Sequence, residues 1–297
     1  IKMSTDDAII HDYYLLGIEP NSELQEKILN LGNKKHDIIE KKSDVKLKEF
    51  NEEDFKKMPR YSMLLKIKFI LKRSYTSKGE GEFNVIDNKI FENPIVRDKL
   101  TGLPMIRSST WKGHLRFAAG RVNDLDGKNI NEITKSEIIE RLFGSETTSE
   151  DTVKGRLYFF PTCFDKKDAE KDVITPLSRT TRTPVSGKSP ITLEVVKEGA
   201  KGKFRLLYFP YPRGKMFSKE QVKTDLMFLT EALELMFFTY GFSAKKTSGF
   251  GVIEPDPTVV VSLCSDEQQK SNTWNQKFNE WNEFKNYINN LWSGDHE

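Results

Sequence analysis

The sequence predicts an α+β fold whose main elements run βαββαβ, and three observations carry this reading. Ser62 to Lys72 alternates, with Leu65, Ile67, Phe69 and Leu71 on one side and Lys66, Lys68 and Lys72 on the other. That is a strand with one buried face. Val222, Leu226, Leu229, Leu233 and Phe237 recur at helical spacing behind Ser218, so 218–240 reads as a long, capped helix. The full order is strand 62–72, helix 108–120, strand 155–160, strand 203–209, helix 218–240 and strand 249–263. This is the ferredoxin-like pattern. Its helices are expected on one sheet face, with the other face open.

Residues 1–60 are polar and charge-dense and read as an N-terminal extension. Within them, Ser22 to Lys42 can form a helix carrying Leu24, Ile28 and Leu31. Residues 61–263 make the core. Arg73 to Phe91 reads as a long polar loop with Gly79 and Gly81. Pro94 to Leu103 is extended and turning, Met105 and Ile106 form a short apolar step, and Ser108 opens a helix. Ser108 or Ser109 is the expected cap of its first turn. A short helix follows near Ser136 to Phe143, then a strand at Gly155 to Phe160. Thr162 to Ser189 is polar, basic and turn-rich. Ile191 to Val196 and Lys203 to Phe209 read as strands joined by the glycines of KEGAKGK into a projecting hairpin. After the 218–240 helix comes the small, basic loop GFSAKKTSGFG, then a closing strand interrupted by Pro255 and Pro257. Residues 264–297 are read as a C-terminal helix with an aromatic seam of Trp274, Phe278, Trp281, Phe284, Tyr287 and Trp292.

Composition narrows the function. The 297 residues carry 47 basic and 44 acidic side chains, a net charge of +3, so the chain is no bulk polycation. If it binds nucleic acid, its basic residues must be locally concentrated. The two cysteines, Cys163 and Cys264, lack CxxC spacing, which excludes a disulfide framework or a zinc site and fits a cytoplasmic protein. No run approaches the roughly 18 apolar residues of a membrane span, so no membrane partner is expected.

Familiar catalytic motifs are missing: there is no GxSxG, P-loop or HExxH, and His11, His36, His114 and His296 are scattered. Two segments suit phosphate. The helix start RSSTWKGHLR offers Ser108, Ser109, Lys112 and Arg116 beside backbone N–H groups. The loop KKTSGFG offers Lys245, Lys246, Thr247, Ser248 and Gly249, with Phe250 as a stacking face. Each alone reads equally as an ordinary capped helix or a tight turn. In a ferredoxin-like sheet both would meet near one end, and their convergence points to nucleic acid. Glu80, Glu82, Asp87, Glu92 and Asp98 populate the preceding loop. A carboxylate beside an RNA backbone can hold a divalent cation or orient the 2′-hydroxyl.

The stretch NPIVRDKLTGLPMIRSSTWKGHLR resembles the hallmark of the RAMP superfamily, in particular the backbone subunits of type III CRISPR effector complexes. RLFGS at 141–145, GRLYF at 155–159, TRTPVSGKSPITLEVVKEGAKGKF and KKTSGFG at 245–251 match further family landmarks in order. The resemblance covers about residues 62–261. It implies an RRM-like core, stacking on other RAMP subunits along a guide RNA, and pairing with a target RNA. It implies that the helix start and glycine loop grip the RNA backbone. It also implies a protruding thumb hairpin over about 162–202, whose Arg179, Arg182 and Lys188 are RNA-binding candidates. In active members an Asp before the motif cleaves target RNA with a divalent metal, Mg²⁺ or Mn²⁺. Here Glu92 stands at that place, and Asp87 lies five residues earlier, so both are candidate catalytic and metal-binding residues. Arg107 replaces the usual Pro-Gly before the helix. The alternatives are a non-catalytic capping or assembly subunit of the same complex and a metal-independent guide-processing endoribonuclease.

Overall fold

The alternating run at 62–72 becomes the middle strand of an antiparallel sheet, in an α+β architecture. The computed structural model describes residues 26, 30, 55, 57–77, 84–86, 89–91, 94–99, 101–125, 127–145, 152–178, 180–185, 187–210, 217–264 and 273–292. In chain order the elements are β1 (Met63–Ile70), β2 (Asn84–Ile86), β3 (Lys89–Phe91), β4 (Met105–Ile106), α1 (Ser108–Ala119), β5 (Asp124–Leu125), β6 (Lys128–Asn129) and α2 (Glu132–Phe143). They continue with β7 (Leu157–Phe159), β8 (Thr162–Cys163), β9 (Ala169–Ile174), β10 (Ile191–Val196), β11 (Lys201–Tyr208), α3 (Lys219–Glu234), β12 (Thr258–Cys264), β13 (Thr273–Phe278) and α4 (Trp281–Asn289).

The main sheet has the order β13-β12-β1-β11-β7, and every pairing in it is antiparallel. Met63, Leu65, Ile67 and Phe69 of β1 are buried in the main core with Trp111 and Leu115 of α1 and Leu226, Leu229 and Leu233 of α3. Register is fixed at one point by a glycine. Gly202 of β11 lies opposite Phe69, and a Cβ there would sit 2.2 Å from the phenyl ring. Ser218 caps α3 as expected, accepting from the Gln221 N–H. The helix then widens into one π-helical turn, Leu235–Tyr240. Such turns are rare and displace the side chains that follow them.

The sheet's second face carries a smaller apolar cluster. Phe55 packs there with Leu64, Leu207 and Cys264, and Met58, Tyr158 and Phe160 border it. The face expected to be open is therefore partly covered by the chain just before β1.

Several expectations are corrected. The strand at 191–196 does not pair with the strand at 203–209. β10 pairs with β9, while β11 pairs with β1 and β7. The KEGAKGK glycines thus lead from the hairpin into the sheet, and the Gly199 N–H donates to Leu71 O. β9 (AEKDVI) hides in the polar 162–189 stretch because its burial is only partial along its whole length. The long 73–91 loop contains the β2–β3 hairpin. Neither Ser108 nor Ser109 caps α1: Arg107 occupies the N-cap and makes no side-chain cap hydrogen bond. The second helix starts four residues early, capped by Asn131, which accepts from the Thr134 N–H. The segment read as one C-terminal helix begins with an edge strand, β13, before α4. No described helix is long and apolar enough to cross a membrane.

Candidate nucleic-acid interface

Trp111 fixes α1 to the sheet. It is fully buried, and its Nε1–H donates to Thr162 Oγ1 at 3.1 Å. The Thr162 hydroxyl in turn donates to Lys203 O at 2.8 Å. Phe204 and Phe242 meet the indole at 4.8 and 4.5 Å between ring centroids. With this stripe buried, the opposite face of α1 turns outward: Ser109 and Lys112 are exposed, and Ser108, His114 and Arg116 are half-buried. The first turn holds no acidic residue. Its backbone donors and the helix dipole together favour an anion.

The glycine loop folds onto the chain leaving β1. The Phe242 N–H donates to Gly251 O, and the Gly251 N–H to Ser74 O, both at 2.9 Å. Ser243 Oγ donates to Thr76 O at 2.9 Å and accepts from the Thr76 N–H at 3.0 Å. Gly251 has φ +76°, and a Cβ there would lie 2.7 Å from Ser243, so only glycine closes this clip. Held this way, the loop presents Lys245, Thr247, Ser248 and Gly249 as exposed, with Phe250 half-buried.

The two segments converge through aromatic rings. Lys246 Nζ lies 3.4 Å from the centre of the Phe117 ring, and the Arg121 guanidinium approaches the same ring at 4.4 Å. Tyr240, delivered by the π-helical turn, meets Phe117 edge-on at 5.5 Å and also receives Arg121 at 5.8 Å. Phe117 and Arg121 were not among the expected site residues. Their signal was their spacing: Phe117 lies three residues beyond His114, on the same side of α1. Burial and the Lys246 charge push the His114 pKa down to about 4, so the imidazole is neutral at pH 7. Burial and Arg121 lower that of Lys246. The patch is thus cationic and self-repelling, a state that a bound phosphate relieves.

The depressed His114 pKa has a stability consequence. Its unfolded value is near 6.5, so the unfolded chain takes up the proton first as pH falls. The contribution is complete above about pH 6.5 and is lost as pH drops toward 4. Solvent screening at a half-buried site limits the effect to about 1–2 kcal/mol. Urea melts at pH 7 and 4.5 are expected to show a larger acid loss for the wild type than for His114→Gln, by about that amount.

The segment before α1 is held by a residue that the sequence did not single out. Glu194 of β10 is 1% exposed. Its carboxylate accepts from the Ile95 N–H at 3.1 Å and pairs with Arg97 Nη2. Arg97 also donates to Gly102 O, and the Val96 N–H donates to Ser77 Oγ. Asp98 is a turn residue: its Oδ2 accepts from the Thr101 N–H and hydroxyl at 2.8 and 2.7 Å. Arg97 and Asp98 of the hallmark therefore shape the chain.

Asp87, Glu92 and Arg179 lie outside the described residues. Arg182 and Lys188 are exposed in the connection between β9 and β10. The backbone bonds of that connection are internal, from Arg182 N to Ser178 O and from Val185 N to Pro176 O. Among the described residues there is no group of three or more His, Cys, Asp or Glu placed to hold a metal ion.

The family model of the RAMP superfamily matches residues 79–254. Among solved structures, the chain is similar to one in the cryo-EM structure of the type III-B Cmr-beta bound to cognate target RNA. There the TM-score is 0.44 with 17% identity, over 82% of this chain and 78% of that one. It is also similar to a chain in the crystal structure of the Csm3–Csm4 subcomplex of the type III-A CRISPR-Cas interference complex. That comparison gives a TM-score of 0.46 and 16% identity, over 79% of this chain and 98% of that one. No curated protein sequence matches it.

Proposed function

The chain belongs to the RAMP superfamily, and from that membership we propose that it is a guide-RNA-binding backbone subunit of a type III CRISPR effector complex. The observation that carries the RNA-binding reading is the convergence of α1 and the glycine loop on Phe117, whose ring receives Lys246 and Arg121, with Lys245 exposed in the loop and Lys112 exposed on α1. Exposed backbone donors at the α1 start position a phosphate; the lysines and arginines neutralise its neighbours. In this reading the five-stranded sheet with α1 and α3 is the ferredoxin-like, RRM-like core. The strands βαββαβ are β1, β7, β11 and β12, which stand side by side in the order β12-β1-β11-β7. The β9–β10 hairpin is the thumb, with Val173, Leu177 and Ile191 exposed along it and Arg182 and Lys188 near its end. The guide RNA, a target RNA and neighbouring RAMP subunits are the partners. Target cleavage with Mg²⁺ or Mn²⁺ through Asp87 or Glu92 is the further part of the proposal.

One assembled-complex experiment tests both parts. Lys112→Ala with Lys245→Ala is expected to weaken guide-RNA binding about tenfold or more and to flatten its salt dependence by roughly one to two logarithmic units of slope. Unchanged affinity and slope would place the RNA elsewhere. With guide binding intact, Asp87→Ala or Glu92→Ala is expected to abolish metal-dependent target cleavage. Full cleavage by both variants would leave the chain a guide-binding scaffold.

A further inference from the structure

α1 turns a nearly bare side to solvent. Trp111, Leu115, Ala118 and Ala119 form its buried stripe. With about 3.6 residues per turn, Gly113 lies half a turn from the middle of that stripe, and Gly120 returns to the same side about 10 Å further along the axis. Both glycines are exposed. A Cβ on Gly113 would meet nothing within 4 Å, and one on Gly120 only the helix's own carbonyls, at 3.6 and 3.9 Å. Neither has a positive φ. Packing and backbone geometry thus give Gly113 no reason to be glycine, although glycine is the poorest helix former after proline. The remaining reason is room: an outside group can rest directly on the α1 backbone here.

Cations border this bare side. Lys112 and Arg116 lie on one flank. On the other, Phe117 carries Lys246 at 3.4 Å and Arg121 at 4.4 Å from its ring centre. A phosphodiester strand over the glycines meets positive charge on both sides. His114 stands on the Phe117 flank, three residues before it. It is half-buried, and it makes no hydrogen bond among the described residues. Burial and Lys246 keep the ring neutral at pH 7. A neutral imidazole is no phosphate clamp; it donates at one nitrogen and accepts at the other. Beside each phosphate of RNA, the 2′-hydroxyl also donates and accepts, and DNA has nothing at that place.

We infer that His114 reads the ribose of an RNA strand laid over the glycine side of α1, exchanging a hydrogen bond with a 2′-hydroxyl and so discriminating against DNA. This rests on the RNA-binding reading of the α1 and glycine-loop surface and adds to it the sugar contact and the place where the strand touches the helix.

The test uses the full chain, a short oligouridylate and the matching oligodeoxyuridylate, with fluorescence anisotropy at pH 7 and low salt. His114→Ala is expected to weaken oligouridylate binding about three- to tenfold, as for one lost hydrogen bond, and to leave oligodeoxyuridylate binding unchanged. His114→Gln, which offers a donor and an acceptor, is expected to keep part of the preference for RNA. Gly113→Ala is expected to raise the melting temperature by about two degrees and yet to weaken both probes severalfold, opposite signs that a purely structural glycine would not give. Equal losses for the two probes in His114→Ala would overturn the proposal, because the ring would then serve the phosphates or the fold. So would a Gly113→Ala variant that binds as tightly as the wild type. Failure of the underlying reading looks different. Oligouridylate affinity indifferent to Lys112→Ala with Lys245→Ala would remove the RNA surface, and the ribose contact with it. Affinity that falls in that pair, while the preference for RNA survives His114→Ala, would remove the ribose contact alone.

Discussion

Asp225→Ala is expected to cost about 3–5 kcal/mol. Asp225 of α3 is fully buried. Its Oδ2 accepts from Arg156 Nη1 at 2.7 Å and from the Tyr208 hydroxyl at 2.8 Å, and its Oδ1 accepts from Arg141 Nε at 2.8 Å. Arg156 Nη2 donates onward to Gln221 Oε1 at 2.6 Å. One carboxylate thus ties α2, the chain entering β7, the end of β11, and α3. Burial and the neighbouring carboxylate hold the Tyr208 hydroxyl well above its ordinary pKa, so it stays a donor. Truncation leaves two guanidiniums with no counter-charge, one of them only 3% exposed. For a chain of this size that corresponds to a fall in melting temperature of roughly 10 °C. Asp225→Asn keeps the shape and one acceptor and is expected to lose less. Thermal melts of both variants check this, with guide-RNA affinity measured at 10 °C as a control. A melting temperature within 2 °C of wild type for Asp225→Ala would sink the idea.

The same cluster gives two of the hallmark landmarks a physical meaning. RLFGS supplies Arg141, and GRLYF supplies Arg156. The Arg156 N–H donates to Arg141 O at 3.1 Å. A Cβ on Gly155 would lie 2.5 Å from Leu142 O, so the two segments press backbone to backbone. These landmarks serve packing and charge pairing beneath the sheet, while α1 and the glycine loop carry the exposed residues of the proposed interface.

What could be read in advance follows the same division. β1 and α3 were legible because each has one buried side, and burial imposes a period of 2 or 3.6 on the sequence. The convergence of α1 with KKTSGFG was legible because each segment adjoins a strand or helix whose periodicity could be read. The β9–β10 pairing was not, since β9 buries no side chain fully and its partner choice is set by turn geometry and docking. β13 was not, because TWNQKF followed by WNEF places aromatic residues at spacings that suit either period. Arg107 as N-cap was not, since two serines follow it and the cap is chosen by where the helix begins. Phe117 and Arg121 gain meaning only when Lys246 and Tyr240 arrive from elsewhere in the chain.

Glu194 was illegible for a different reason. In ITLEVV it looks like a polar residue on a half-exposed strand, yet its partners lie about a hundred residues away. Glu194→Ala is expected to cost about 3 kcal/mol and to loosen residues 94–104 before the rest of the domain, because it strips the Ile95 N–H of its acceptor and Arg97 of its counter-charge. Amide exchange should accelerate at Ile95 and Val96, while Trp111 and the sheet keep their protection. Glu194→Leu combined with Arg97→Met should recover the part of the stability lost to the unpaired charge, since an apolar pair needs no counter-charge in this place, while the Ile95 N–H still lacks its acceptor. Recovery of stability without recovery of guide-RNA or target-RNA function would show that this ion pair positions the loop before α1. Recovery of both would reduce it to a packing element. If Glu194→Ala left exchange at 95–96 unchanged, the loop would owe its position to the Ser77–Val96 bond and the Asp98 turn instead.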